Sequence, residues 1–175
     1  MPDATVSIIP PMYNLGLTND TNLAYEVGKV IGEELRVFDI NMDFAPVLDI
    51  YSNPKNTVIG NRSFGTTAEI VSNMGISLAK GLENTGIIPV YKHFPGHGDT
   101  LEDSHTTLPI INKTKEELMD MELKPFIEAI ENDAEIIMVS HLAVPKITGN
   151  NTPATLSKEI ITDLLKEELG FDGIV

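Results

Sequence analysis

The feature that most constrains this chain is the alternation of short apolar runs with longer stretches of helical period. Leu23, Val27, Val30, Ile31 and Leu35 recur on one helical face, behind Asn19 and Asp20, either of which can cap the first turn. The run 40–48 is too short for a stable helix and contains Pro46, which predicts a buried strand. Thr67 can cap a helix over 68–84, where Ile70, Val71, Met74, Leu78 and Leu82 form one stripe, and Gly86 stands where a left-handed cap belongs. Residues 87–91 predict a second strand. Thr114-Lys115-Glu116-Glu117 reads as the capping box of one helix reaching residue 131. Residues 135–139 (EIIMV) predict a third strand, Ser157 opens a helix to residue 169, and 171–175 begin a fourth strand.

Strands alternating with helices imply an α/β fold with a parallel sheet, and the absence of period-two polarity implies strands covered on both faces. An open doubly wound sheet and a (β/α)₈ barrel both satisfy this pattern. No G-x-G-x-x-G follows a strand, whereas Asp49, Arg62, His93 and His141 all collect where strand C-termini run into loops, the end at which barrels build active sites. The chain therefore reads as a partial (β/α)₈ TIM barrel of about four βα units. Residues 1–175 are expected to be a single domain, shortened at both ends against a barrel of roughly 250 residues. Half a barrel leaves strand edges and apolar strand surface uncovered, which predicts self-association.

Composition narrows the ligand. With 26 acidic and 12 basic residues the formal charge is −14, unsuited to nucleic acid phosphates or anionic lipid and compatible with a small neutral or polar ligand. The chain has no cysteine, which excludes a disulfide framework and thiolate zinc sites and fits the cytosol and the exterior equally. No run approaches the roughly 18 apolar residues of a membrane span, and Met1–Pro10 has no basic leader region.

The chemistry concentrates in KHFPGHGDTLEDSHTTLP, residues 92–109, a long connection that carries His93, His97 and His105 beside Asp99, Glu102 and Asp103. Asp103 and His105 stand two apart, so the carboxylate can accept a proton from one imidazole nitrogen while the other faces outward. That arrangement fixes the tautomer and supplies a general acid/base near neutral pH. The same residues with Ser104 also suit a polar turn, and spacing leaves both readings open. Lys92 and His93 follow an apolar run, where a snorkelling lysine and a core-edge histidine are ordinary. Three donors on one and both kinds of group on the other equally suit sugar hydroxyls. Arg62, in GNRSFG, can hold a hydroxyl or brace its loop. His93, His97, Asp103, His105 and His141 could together hold a metal, but a proline and glycines separate His93 from His97, so the pair lacks the helical spacing of H-E-x-x-H. We expect no metal and no cofactor.

The loop KHFPGHGDTLEDSHTTLP resembles the signature of bacterial β-N-acetylhexosaminidases in glycoside hydrolase family 3. FAPVLDIYSNPKNTVIGNRSFG resembles a second block of that family, and FDGIV resembles the strand leading to its nucleophilic aspartate. The resemblance implies a retaining, exo-acting removal of terminal β-linked N-acetylglucosamine, with peptidoglycan fragments as the expected source. It implies His105 as acid/base assisted by Asp103, and Arg62, Lys92 and His93 as ligands of the terminal sugar in subsite −1. The β-glucosidase branch of the family lacks this loop. The resemblance also places a D-x-E-G-G segment ahead of this chain and the nucleophile a few residues past Val175. Asp172, before the last strand, is expected at the wrong end of the barrel to replace it. On this reading the chain alone is expected to be nearly inert, and the rival class is a non-catalytic sugar-binding or scaffolding segment.

Overall fold

The computed structural model describes residues 6–100 and 107–175. Strands β1 (Met42–Asp43), β2 (Ile88–Phe94) and β3 (Ile136–Val139) form a parallel sheet in the order β1-β2-β3. Ile174 continues the order as a parallel bridge to Ile136. Spatial order equals chain order, with no reversal among the described strands. This is the arrangement of consecutive βα units in a barrel rather than the switch point of a doubly wound sheet.

Helices α1 (Met12–Thr18) and α2 (Thr21–Val37) precede β1, and α3 (Ala68–Asn84) joins β1 to β2. After β2 come α4 (Lys115–Asp120) and α5 (Lys124–Glu131); α6 (Pro145–Thr148) and α7 (Glu159–Glu168, wound as a π-helix) follow β3. The caps fall where local chemistry puts them. Asp20 accepts from the Asn22 and Leu23 amides, Thr67 from Ile70, and Thr114 and Glu117 form the reciprocal capping box. Gly86 adopts φ +79° after α3.

Two expectations are corrected, and two helices were not foreseen. The helix predicted over 114–131 is two helices, because Pro125 opens α5 and cannot donate into a preceding turn; the chain breaks at Met121, φ −140° and ψ −74°. The strand predicted over 40–48 is regular only at Met42–Asp43 and rejoins the sheet at Val47, since Pro46 has no amide to give the ladder. The short helices α1 and α6 carry too little periodicity to be seen in the sequence.

The core lies between the sheet and its outer helices. Tyr91, Phe94, Phe126, Leu78, Leu82 and Leu118 are fully buried there, with Phe94 and Phe126 edge to face at 5.4 Å. Each such side chain contributes about 1.5–3 kcal/mol by leaving water. Helices α2 and α3 meet at Gly28 and Gly81, where a Cβ on Gly28 would lie 2.1 Å from the Leu78 carbonyl oxygen. The opposite sheet face carries Met42, Phe44 and Ile174, all exposed. With Val90, Met138 and Val175 they line an apolar hollow of about 480 Å³.

Candidate active site

Asp49 lies in the apolar run after β1, two residues past the Val47 bridge, and is completely buried. A buried carboxylate needs compensation from donors. Its Oδ2 lies 2.6 Å from His93 Nδ1, and its Oδ1 accepts from the His97 amide at 2.7 Å and the His93 amide at 3.3 Å. Burial by itself would raise this carboxyl's pKa. The charge and hydrogen bond of His93, then the His97 amide, outweigh burial and hold it below the ordinary carboxylate range. An ionised Asp49 requires the His93 proton on Nδ1, which leaves Nε2 as an acceptor or acid/base nitrogen.

The loop after β2 is fastened to the loop after β1. Asn56, buried, donates from Nδ2 to the His97 carbonyl at 2.8 Å and accepts from the Val58 and Ile59 amides. Thr100 Oγ1 meets His97 Nδ1 at 2.8 Å, and Asn53 Nδ2 donates to the Asp99 carbonyl at 3.2 Å. Gly98 permits this approach, because a Cβ there would sit 1.7 Å from the Ile50 carbonyl oxygen. The Lys92–His93 and Phe94–Pro95 peptides are cis.

Among the expected sugar ligands, Arg62 and His93 line one pocket of about 240 Å³ with His97, Ser140 and His141. Arg62 also lines an adjoining pocket of about 470 Å³ with Lys92, Phe44 and Met12. Arg62 thus stands on the wall between the two, and its Nη1 donates to the Val58 carbonyl at 3.2 Å. Burial, then the Arg62 guanidinium, lower the pKa of Lys92 against the opposing pull of Asp43 and Asp49. His141 holds Thr155 Oγ1 at 2.8 Å through Nδ1. Asp103 and His105 lie outside the described residues, within the connection that begins at this pocket.

Sequence reasoning placed Asp49 at the active-site end of the barrel without giving it a partner, and gave Asn56 no role. The signal for Asp49 was a charge inside FAPVLDI, a position that demands a buried partner. Asn56 gave no comparable signal, because asparagine after NPK reads as an ordinary turn. Asp172, exposed, lies beside Asp133 and Glu135, where strands begin, as expected. Among the described residues no group of three or more metal-ligating side chains converges, and no helix is long and apolar enough to cross a membrane.

A family model described as the glycosyl hydrolase family 3 N terminal domain matches residues 3–175. Beta-hexosaminidase A of Pseudoalteromonas piscicida is 38% identical over 86% of this chain and 27% of its own length. A glycoside hydrolase family 3 β-N-acetylglucosaminidase from Paenibacillus sp. superposes with TM-score 0.94 at 46% identity, over 97% of this chain and 32% of that one. Zinc-bound CbsA from Thermotoga neapolitana gives TM-score 0.91 at 35% identity, over 98% of this chain and 37% of that one. The chain spans between 27% and 51% of the length of such curated relatives. With its parallel βα order and a matched family model over nearly all its residues, the chain belongs to glycosyl hydrolase family 3, in the N-terminal barrel domain.

Proposed function

We propose that the protein carrying this chain is an exo-acting, retaining β-N-acetylhexosaminidase that removes terminal β-linked N-acetylglucosamine, peptidoglycan fragments being its expected substrates. Residues 1–175 serve as one partial-barrel unit. Arg62, Lys92 and His93 bind the terminal sugar, and His105, oriented by Asp103, is the acid/base. The observation that carries this reading is the Asp49-fixed His93 facing a pocket with Arg62, at the root of the loop that holds Asp103 and His105. The names of the relatives support the substrate class.

In the first step the glycosidic C–O bond breaks, the His105 proton passes to the departing oxygen, and C1 is taken by the aspartate that the family resemblance places past Val175. In the second step water attacks C1, yields its proton to His105 and frees the aspartate. No metal takes part, so activity should survive chelators; its abolition by EDTA and restoration by zinc would revive the metallohydrolase reading. The exposed apolar face supports self-association of the isolated chain, and a monomeric mass by light scattering at high concentration would refute it.

The test uses the full-length protein and aryl glycosides of graded leaving-group pKa. Replacing an acid hurts most when the leaving group is poor, so His105→Ala should lower kcat/KM by about 10²–10⁴ for sugar leaving groups and far less for nitrophenolate. Asp103→Ala should show a smaller loss of the same pattern. Azide should rescue His105→Ala on an activated substrate, giving a β-glycosyl azide. Equal loss on every substrate would end the assignment.

The Asp49–His93 contact favours one second reading, in which His93 is the acid/base. That reading predicts the graded pattern in His93→Ala instead, whereas a sugar-binding His93 predicts a raised KM without it. A parent protein that binds N-acetylglucosamine yet hydrolyses nothing would favour the non-catalytic class.

A further inference from the structure

Behind the loop that begins at the pocket stands a charged group with no place in the reaction. Glu122, in the turn between α4 and α5, has a side chain 1% exposed, and a buried carboxylate is costly without a partner. Its Oε1 accepts from Lys113 Nζ, while its Oε2 is buried with no hydrogen-bond partner among the described residues. The same ammonium reaches Asp99 Oδ2 at 3.1 Å. Burial works against the charge on Lys113, but its bonds to Glu122 and Asp99 outweigh burial and raise its pKa, so the lysine stays charged at neutral pH. Glu122 also packs against Gly96: a Cβ there would lie 2.9 Å from Glu122 Cβ, and Gly96 holds φ +118°, a conformation that favours glycine.

The three groups belong to three different segments. Asp99 is on the incoming stem of the connection that contains Asp103 and His105, Lys113 is on its outgoing stem just before the Thr114 cap, and Glu122 is on the helical turn beneath. One ammonium therefore ties both stems to the outer helices. The outgoing stem is tied again by the Ile111 amide to the Ala143 carbonyl and the Ala143 amide to the Pro109 carbonyl. Stability alone is a weak account of this arrangement, since exposed pairs contribute little and buried ones repay desolvation poorly.

We infer that Lys113, held by Glu122 and Asp99, is a positioning residue for the acid/base: it ties together the two stems of the connection whose sequence carries Asp103 and His105. This rests on His105 being the acid, as proposed above. A displacement of about 1 Å in a catalytic group can cost on the order of 10²-fold in rate. The loss should therefore follow the proton-transfer step.

In the full-length protein, Lys113→Met should lower kcat/KM at least about tenfold on a β-linked N-acetylglucosamine disaccharide and less than about twofold on the nitrophenyl glycoside, while Lys113→Arg, which keeps the charge, restores most of the difference. Glu122→Gln, nearly isosteric, should show the same graded pattern more weakly, and it carries the test if Lys113→Met fails to fold. An equal fall across all leaving groups, or none, would overturn the inference and leave the triad as a structural ion pair. His105→Ala on the same series separates the two claims. Graded loss there with flat loss in the Lys113 and Glu122 variants defeats only the positioning role; flat loss in His105→Ala defeats the acid assignment beneath it.

Discussion

The two ends of the sheet treat their carboxylates in opposite ways. At the end where strands run out into loops, Asp49 is fully buried and yet its pKa is lowered, because His93 and the His97 amide donate to it. At the end where strands begin, Glu83 lies at the surface and yet its pKa is raised, first by partial desolvation and then by Glu135 and Asp133, with Lys80 opposing. At the first end the donors together outweigh burial, whereas at the second partial desolvation leads and like-charged neighbours reinforce it. The first end spends donors on fixing a histidine beside a pocket, as a catalytic face does. The second carries an acidic cluster that repels itself and does no evident work.

The largest effect should come from Asp49→Asn. It leaves two amides and an imidazole facing a neutral acceptor, so the chain should lose about 2–4 kcal/mol in urea unfolding. Asp49's folded pKa lies below the unfolded value near 3.8, so its contribution is complete above 3.8 and lost as pH falls through the lower folded value. The variant's stability should accordingly lose part of its acid dependence. Unchanged midpoints at neutral and acid pH would break the comparison at its stronger end.

Lys92→Met should act in the other direction. A lysine with a lowered folded pKa binds fewer protons folded than unfolded, so its charge costs stability at neutral pH, and that cost fades only as pH rises toward 10.5. Its removal should raise Tm by roughly 2 °C while weakening N-acetylglucosamine binding in the full-length protein. A fall in both would make Lys92 a structural residue.

The smallest effect belongs to the second end. Glu83→Gln should stabilise by at most about 0.5 kcal/mol, discounted because solvent screens an exposed group. With the folded pKa raised, the wild type loses stability as pH climbs above 4.5, so the gain should be present at pH 7 and vanish below 4.5. Destabilisation at pH 7 would show that Glu83 has a structural role beyond repelling its neighbours.

Where the fold rests on local chemistry, it was legible in the chain. The apolar strands, the stripe of α3, the caps at Asp20, Thr67 and Thr114, and the polar residues after each strand all follow from neighbours within a few positions. The same locality explains the recognisable loop of residues 92–109, whose residue types are bound to their order. The irregular strand at Pro46 and the break at Met121 were missed, although the prolines were in plain view, because a proline shows where a regular element is in trouble and not how far the disturbance spreads. Only the tertiary structure decided that Asp49 takes His93 across 44 positions, that Asn56 holds the His97 carbonyl across 41, and that Lys113, Asp99 and Glu122 share one charge. Those partnerships depend on which loops the parallel sheet sets side by side, and a pairing made through space leaves no period and no fixed spacing along the chain.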